Sequence, residues 1–344
     1  MTRTAVVICP GRGTYNKPEL GYLHRHHADR MDLFRSFDAI RSERGQDAIT
    51  ALDAADRYSV GTYSRGDVAS PLIYAASLGD AQALAEDIEV VAVTGNSMGW
   101  YIALAAAGAL TAENGFRVVN TMGTLMQEHL IGGQLVYPFM GEGWNSDPKR
   151  KAEVQDEVAR INALKDHVLA LSIDLGGMLV LAGNEAGLKA FEASQPRVQD
   201  RFPLRLANHA AFHTALQASV AAEGRARLGA DLFGQPACPM IDGRGKIWWP
   251  GATDTEALRD YTLGHQVTET YDFTRAIQTA AREFAPDLFI VTGPGATLGG
   301  AVAQSLILAQ WRGMVDKASF HSLQQADPFL IAMGRDDQRA LATG

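Results

Sequence analysis

The sequence predicts an α/β protein built on a parallel sheet. Three apolar, β-branched runs, TAVVIC (4–9), IEVVAVT (88–94) and DLFIVTG (287–293), read as strands buried on both faces. Each ends at a glycine or Pro-Gly turn, and helical patterns lie between them, as parallel crossovers require. A chain of 344 residues is too long for one minimal core; it suits a large domain with an insertion, or two domains.

The elements follow in order. TAVVIC closes at Pro10-Gly11, so a buried strand leads into a tight loop. After IEVVAVT, the stretch YIALAAAGAL (101–110) has the Ala and Leu content of a helix packed closely on a sheet. Thr111 is placed to cap the next helix, with Glu113 in its first turn; that helix runs through FRVVNTMGTLMQEHL (116–130). The middle of the chain changes character. LVYPF (135–139), a polar loop, a charged helix from about 149 to 165, HVLALSI (167–173), MLVLAG (178–183) and the helical GNEAGLKAFEASQ (183–195) form a β-α-β-β-α grouping. This predicts a small inserted α+β subdomain over 134–203, whose strands need not join the main sheet. GKIWWPGATD (245–254) reads as a surface loop or hairpin, and the end of the chain, 313–344, as an extension with a surface helix.

An apolar fraction of 47% against 20% charged describes a folded chain rather than a disordered one. A net charge of −8 argues against nucleic acid as the main partner, although a local basic patch can still meet an acidic carrier. Cys9 and Cys238 lack CxxC spacing and read as small buried hydrophobes, not as a disulfide frame or zinc site. The N-terminus has no apolar signal segment, and no run reaches the ~18–20 residues of a membrane span. The expectation is a cytoplasmic protein with no membrane contact.

One motif carries chemistry. G-N-S-M-G (95–99) follows a predicted strand and precedes a predicted helix, the setting of a nucleophile elbow. Glycines permit a sharp turn that a Cβ would block. The turn lifts Ser97 Oγ above the strand end, where free N–H groups of the first helical turn offer an oxyanion site. Such a serine needs a base. His24, His26 and His27 in LHRHHADR read as a solvated face, with metal binding the lesser alternative; His129, His167 and His321 stand in ordinary surface contexts. His209 and His213, in RLANHAAFHTALQ, sit where a small-residue loop enters a helix, and position alone allows either.

Six segments in order resemble the malonyl-CoA:acyl-carrier-protein transacylase family, which includes the acyltransferase domains of fatty-acid and polyketide synthases. They are ICPGRGTY, GNSMGW, the helical run ending TLMQE, AAFHTALQ, LGHQVTETYDFTRAI and VTGPGATLGG, spread over residues 4–312. The resemblance implies an α/β-hydrolase-like large domain (1–133 and 204–312) with a ferredoxin-like small subdomain (134–203). It implies Ser97 as the acylated nucleophile and His213, rather than His209, as its base. It gives Gln266 as the residue whose backbone carbonyl holds the imidazole, and the N–H groups of Arg12 and Met98 as the oxyanion hole. Acyl-CoA would be a substrate, an acyl carrier protein the partner, and no metal or bound cofactor is expected.

The sequence departs from the family at informative places. Met122 stands where the family holds the malonyl carboxylate with an Arg. A carboxylate buried without such a partner is costly, so Met122 favours an uncharged acyl group. Asn96, Trp100 and Asp174 replace a His, a Glu and an Asn near the active site, and Phe212 is compatible with the H-A-F-H form associated with malonyl, although Ala210 replaces its first His. Asn96, Trp100, Asp174 and Phe212, with Met122, are the expected substrate-pocket residues. A thioesterase using the same Ser–His pair is the alternative; a non-catalytic partner subunit is the third reading, against which the intact Ser97 and His213 weigh.

Overall fold

A computed structural model of the chain describes residues 2–343. Its strands are β1 (Arg3–Cys9), β2 (Ile88–Gly95), β3 (Gly133–Pro138), β4 (Leu169–Leu175), β5 (Met178–Gly183), β6 (Leu204–Arg205), β7 (Met240–Ile241), β8 (Ile247–Trp248), β9 (Tyr271–Asp272), β10 (Leu288–Val291) and β11 (Leu330–Ala332). They form two sheets, ordered β11-β10-β1-β2-β7-β8 and β6-β3-β5-β4-β9.

In the large sheet β11, β10, β1, β2 and β7 run parallel, and β8 turns back antiparallel on β7. The last five residues of β1 and all four of β10 are buried, which is why both read as continuous apolar runs. Helices Gly99–Ala106 and Phe273–Phe284 both pack on β2. Helix Ala112–His129 starts where Thr111 Oγ1 accepts from the Asn114 N–H at 3.1 Å, and it packs along the almost wholly buried helix Gly66–Ala81. Parallel pairing aligns Cys9 with Gly95. The loops after β1 and β2 therefore leave the same edge of the sheet side by side, where α/β folds place their ligand sites.

The small sheet has β3, β5 and β4 antiparallel, with helices Pro148–Asn162 and Glu185–Ser194 packed on it. Its two edges come from outside the span 134–203. Strand β6 begins at Leu204, and β9, parallel to β4, is supplied by Tyr271 and Asp272.

Two expectations are corrected. The tail carries helices Lys317–Ala326 and Asp336–Thr343, but also β11, whose buried Leu330 and Ile331 extend the main sheet beyond β10. Nor is LHRHHADR uniformly a solvated face. His27 is wholly buried, its Nε2 2.9 Å from Asp80, because the short helix Tyr22–His26 turns that ring into the core. Among the described residues no helix is long and apolar enough to cross a membrane, and no three His, Cys, Asp or Glu side chains group as metal ligands.

Candidate active site

Strand β2 ends at Gly95 and the helix Gly99–Ala106 begins four residues on. Between them Ser97 adopts φ 55°, a left-handed conformation uncommon outside glycine. The flanking glycines are required by packing. A Cβ on Gly99 would overlap the Cys9 carbonyl, and one on Gly95 would overlap Gly99 itself. The turn is thus pressed against the end of β1, and its serine is held in one orientation.

Ser97 Oγ lies 2.7 Å from His213 Nε2. On the other side of the ring, Nδ1 donates to the Gln266 carbonyl at 2.5 Å. That bond fixes the tautomer, so Nε2 presents a lone pair to the hydroxyl. The Gln266 side chain donates from Nε2 to the Ser97 carbonyl at 3.0 Å and accepts from Tyr101 at 3.1 Å. Burial lowers His213 to about 4, against a smaller upward pull from the Gln266 carbonyl, so the ring is neutral near pH 7. His213 is itself left-handed (φ 60°), with its N–H bonded to Val267 O at 2.8 Å. His209 is not at the serine; its Nδ1 bonds the Ala207 carbonyl at 2.9 Å.

The N–H groups of Gly99, Trp100 and Tyr101 bond back to the carbonyls of Asn96, Ser97 and Met98 at 2.8, 3.0 and 3.0 Å. Among the described residues the N–H groups of Met98 and Arg12 have no protein acceptor. The two loops that carry them are adjacent, since a Cβ on Gly11 would touch Asn96 O. A serine, a neutral imidazole on its Oγ and two free backbone donors beside it can attack a thioester and hold the oxyanion that forms.

A cavity of about 360 Å³ opens at Ser97 and runs between the loops after β1 and β2 and the small sheet. Its wall is mainly apolar, with Met122, Met126, Val136, Ile173 and Met178 among the lining residues. Asn96, Phe212 and Gln266 also line it, as does Met98. Two expected pocket residues do not. Trp100 is fully buried against Tyr261, with Nε1 donating to Thr262 Oγ1 at 2.9 Å. Asp174 is turned away and held by Lys151 and by Thr274 Oγ1, the latter at 2.6 Å. The sequence reading missed Arg12 as part of the cavity wall, with its guanidinium on Met126 and the Ser64 carbonyl, and Tyr101, which supports Gln266. A charged residue in the loop after β1 was the available signal for Arg12.

Fold and site together define the class: a two-sheet α/β architecture with Ser97 at an elbow and His213 upon it. Solved structures of malonyl-CoA:acyl carrier protein transacylases share this fold. That from Xanthomonas oryzae pv. oryzae is 19% identical with a TM-score of 0.76, covering 99% of this chain and 98% of its own. That from Synechocystis sp. PCC 6803 is 18% identical with a TM-score of 0.75, covering 99% and 100%. A complex of a type II polyketide synthase acyl-carrier protein with its malonyl-transacylase is 20% identical with a TM-score of 0.69, covering 94% and 100%. Among curated proteins, the phenolphthiocerol synthesis polyketide synthase type I Pks15/1 of Mycobacterium marinum is 27% identical over 323 residues, 90% of this chain. The spectinabilin polyketide synthase system protein NorC of Streptomyces orinoci is 27% identical over 196 residues, 56% of this chain. The matches span only 14% and 8% of those two proteins. No protein-family model matches the chain.

Proposed function

We propose that this chain transfers an acyl group from coenzyme A to the phosphopantetheine thiol of an acyl carrier protein, through an ester on Ser97. The observation that carries the reading is the line Ser97 Oγ, His213 Nε2, His213 Nδ1, Gln266 carbonyl, with contacts of 2.7 and 2.5 Å. His213 Nε2 takes the Ser97 proton as Oγ bonds the thioester carbon. The oxyanion is held by the Arg12 and Met98 N–H groups. Collapse breaks the C–S bond, and His213 returns the proton to the leaving thiolate. In the second half the carrier thiol gives its proton to His213 and attacks the ester, and Ser97 recovers its proton. The chemistry needs no metal or redox group. The carrier partner is supported by the transacylase neighbour bound to an acyl-carrier protein. We place the reaction in the cytoplasm, where acyl-CoA and carrier proteins meet.

Two features bear on the acyl group and pull in opposite directions. Met122 and the apolar wall support an uncharged chain. Arg12 and Arg201, which line the same cavity, support an anionic one.

Intact-protein mass after incubation with acetyl-, malonyl- and octanoyl-CoA, beside Ser97→Ala, tests the reaction. An acyl adduct absent from the variant and discharged by carrier protein is expected. Steady CoA release without carrier would instead assign a thioesterase on the same pair, and neither adduct nor release would end the enzymatic reading.

A further inference from the structure

We infer that the acyl group is a medium-length aliphatic chain laid across the open face of the small sheet, and that Val136, Val180 and Ile173 read its length. The preferred donor is then a fatty acyl-CoA rather than a two- or three-carbon one. This rests on the acyltransferase reading and names its substrate class.

Directly opposed residues of antiparallel strands point to the same face. Val136 pairs with Leu204 and with Val180, and Val180 pairs with Ile173. These four side chains make one row across β6, β3, β5 and β4. Leu175 and Met178, partners of each other, belong to the next row. All six are apolar and all six line the cavity. The other face of the sheet is covered. Leu135 pairs with Leu181 and Tyr137 with Leu179, all four wholly buried, and Tyr137 meets Phe191 of the helix Glu185–Ser194 edge-on. The cavity face has no such cover. Val136, Leu175 and Met178 are only half-buried and Leu204 is exposed. An apolar sheet face left open beside a nucleophile fits an apolar ligand.

The face is tied to the base. Gln134 Nε2 donates to Ser172 Oγ at 2.9 Å, and Ser172 Oγ donates to the Phe212 carbonyl at 2.9 Å. Phe212 precedes His213 and Ser172 precedes Ile173. An acyl group on Ser97 therefore starts near the Ile173 end of the row. Three strand spacings make the row about 14 Å long. With C–C bonds of about 1.5 Å, a zigzag chain of about ten carbons has that reach. The cavity, about 360 Å³, is more than twice the ~150 Å³ of an apolar cavity that binds benzene. Acetyl or malonyl would leave much of it unfilled. Met98, Met122 and Met126 also line it, and flexible thioethers re-pack around a chain of no fixed shape. The two cations of the cavity lie on no strand of this sheet. The Arg12 guanidinium bonds the Ser64 carbonyl and the Met126 sulfur, and exposed Arg201 stacks on the Phe202 ring at 4.6 Å. The row itself offers a chain end no counter-charge.

The test measures binding without chemistry. Full-length Ser97→Ala protein is titrated with acetyl-, butyryl-, octanoyl- and malonyl-CoA. Burial of one methylene strengthens binding by up to about fourfold. Octanoyl-CoA is therefore expected to bind tenfold or more tighter than acetyl- and malonyl-CoA, with butyryl-CoA between. Val136→Phe or Val180→Phe in the same background fills the row and should abolish the octanoyl preference while acetyl-CoA still binds. Val136→Ala, which widens the row, should keep it. Acetyl- or malonyl-CoA binding as tightly as octanoyl-CoA, or a preference that survives the Phe variants, overturns the proposal. Ratios within one protein are insensitive to a general loss of stability, and the parent ratio still decides if neither Phe variant folds. Failure of the acyltransferase reading is seen separately, as absence of any adduct on Ser97 in the unmodified chain.

Discussion

Gln266 donates from its side chain to the Ser97 carbonyl at 3.0 Å while its own carbonyl receives the His213 Nδ1 proton at 2.5 Å. One residue therefore fixes both the strained turn and the ring that faces it. The orienting acceptor is a neutral carbonyl rather than a carboxylate, so it offsets only part of the effect of burial on His213, and the imidazole is a weak base held in register.

Gln266→Ala separates these two duties. The backbone carbonyl stays, so the His213 tautomer is retained, but the brace on Ser97 and the partner of Tyr101 are lost. Acylation of Ser97 should slow about 10- to 100-fold from loss of alignment. Stability should fall by about 1 kcal/mol. Rapid-quench mass spectrometry and urea unfolding check the two. An unchanged rate would mean the elbow holds Ser97 unaided.

What the sequence made legible was whatever local pattern determines. The buried strands, the G-x-S-x-G turn and the Thr111 cap are written in consecutive residues. Choosing His213 over His209 took the resemblance, since position allowed both, and its ring is the one at Ser97 Oγ. Side-chain direction was not legible. Trp100 stands beside the elbow in sequence and Asp174 was placed near the site by the resemblance, yet tertiary packing turns both away. Arg12 was read only as a backbone donor, because nothing in GRGTY says that its side chain reaches Met126 and the Ser64 carbonyl. The three-residue β11 is too short for any periodicity to announce, and His27 is drawn inward by an Asp 53 residues away.

The pH profile should expose the buried base. With His213 lowered to about 4, single-turnover acylation should be flat from pH 8 to 6 and decline only near pH 4–5. A midpoint near 6.5 would show an ordinary, solvated histidine. Stability must follow the same group. The folded value lies below the unfolded one, so between the two the unfolded chain binds more protons and stability falls as pH falls. The contribution is fully present above about 6.5 and is lost as pH drops toward 4, on the order of 3 kcal/mol. His209, lowered to about 3, adds in the same direction. Urea midpoints from pH 7 to 4.5 should show the loss, with a shallower slope in His213→Gln.

The elbow glycines should be intolerant where another glycine is not. Gly99→Ala drives a Cβ into the Cys9 carbonyl, and overpacking of this kind costs about 1–3 kcal/mol and displaces Ser97. Gly299, in the helix Leu298–Leu308, has open space where an alanine methyl would stand. Gly299→Ala should stabilise by up to about 1 kcal/mol through helix propensity. Thermal melts of the pair, with acylation rates, check this. Equal effects would mean the turn relaxes more readily than its packing implies.

The tail should matter to the site despite its distance in sequence. Arg339, on the helix Asp336–Thr343, ion-pairs with buried Asp80 at 2.7 Å. Asp80 also receives Tyr22 OH at 2.8 Å and the Gly293 N–H at 2.6 Å. Burial pushes its carboxyl up, but His27, Arg339 and the Gly293 N–H together hold it below the ordinary range. The contacts then continue inward. Gly334 packs on the backbone of Gly295, and Gly295 packs on that of Thr14, in the loop that carries Arg12. Arg339→Ala removes one partner of a buried pair, which typically costs about 3–5 kcal/mol. It should also open the C-terminal helix to limited proteolysis and slow acylation of Ser97, as the loop holding Arg12 loses its backing. If the variant melts lower but acylates at the parental rate, the tail stabilises the sheet edge alone and the line of contacts to Thr14 transmits nothing.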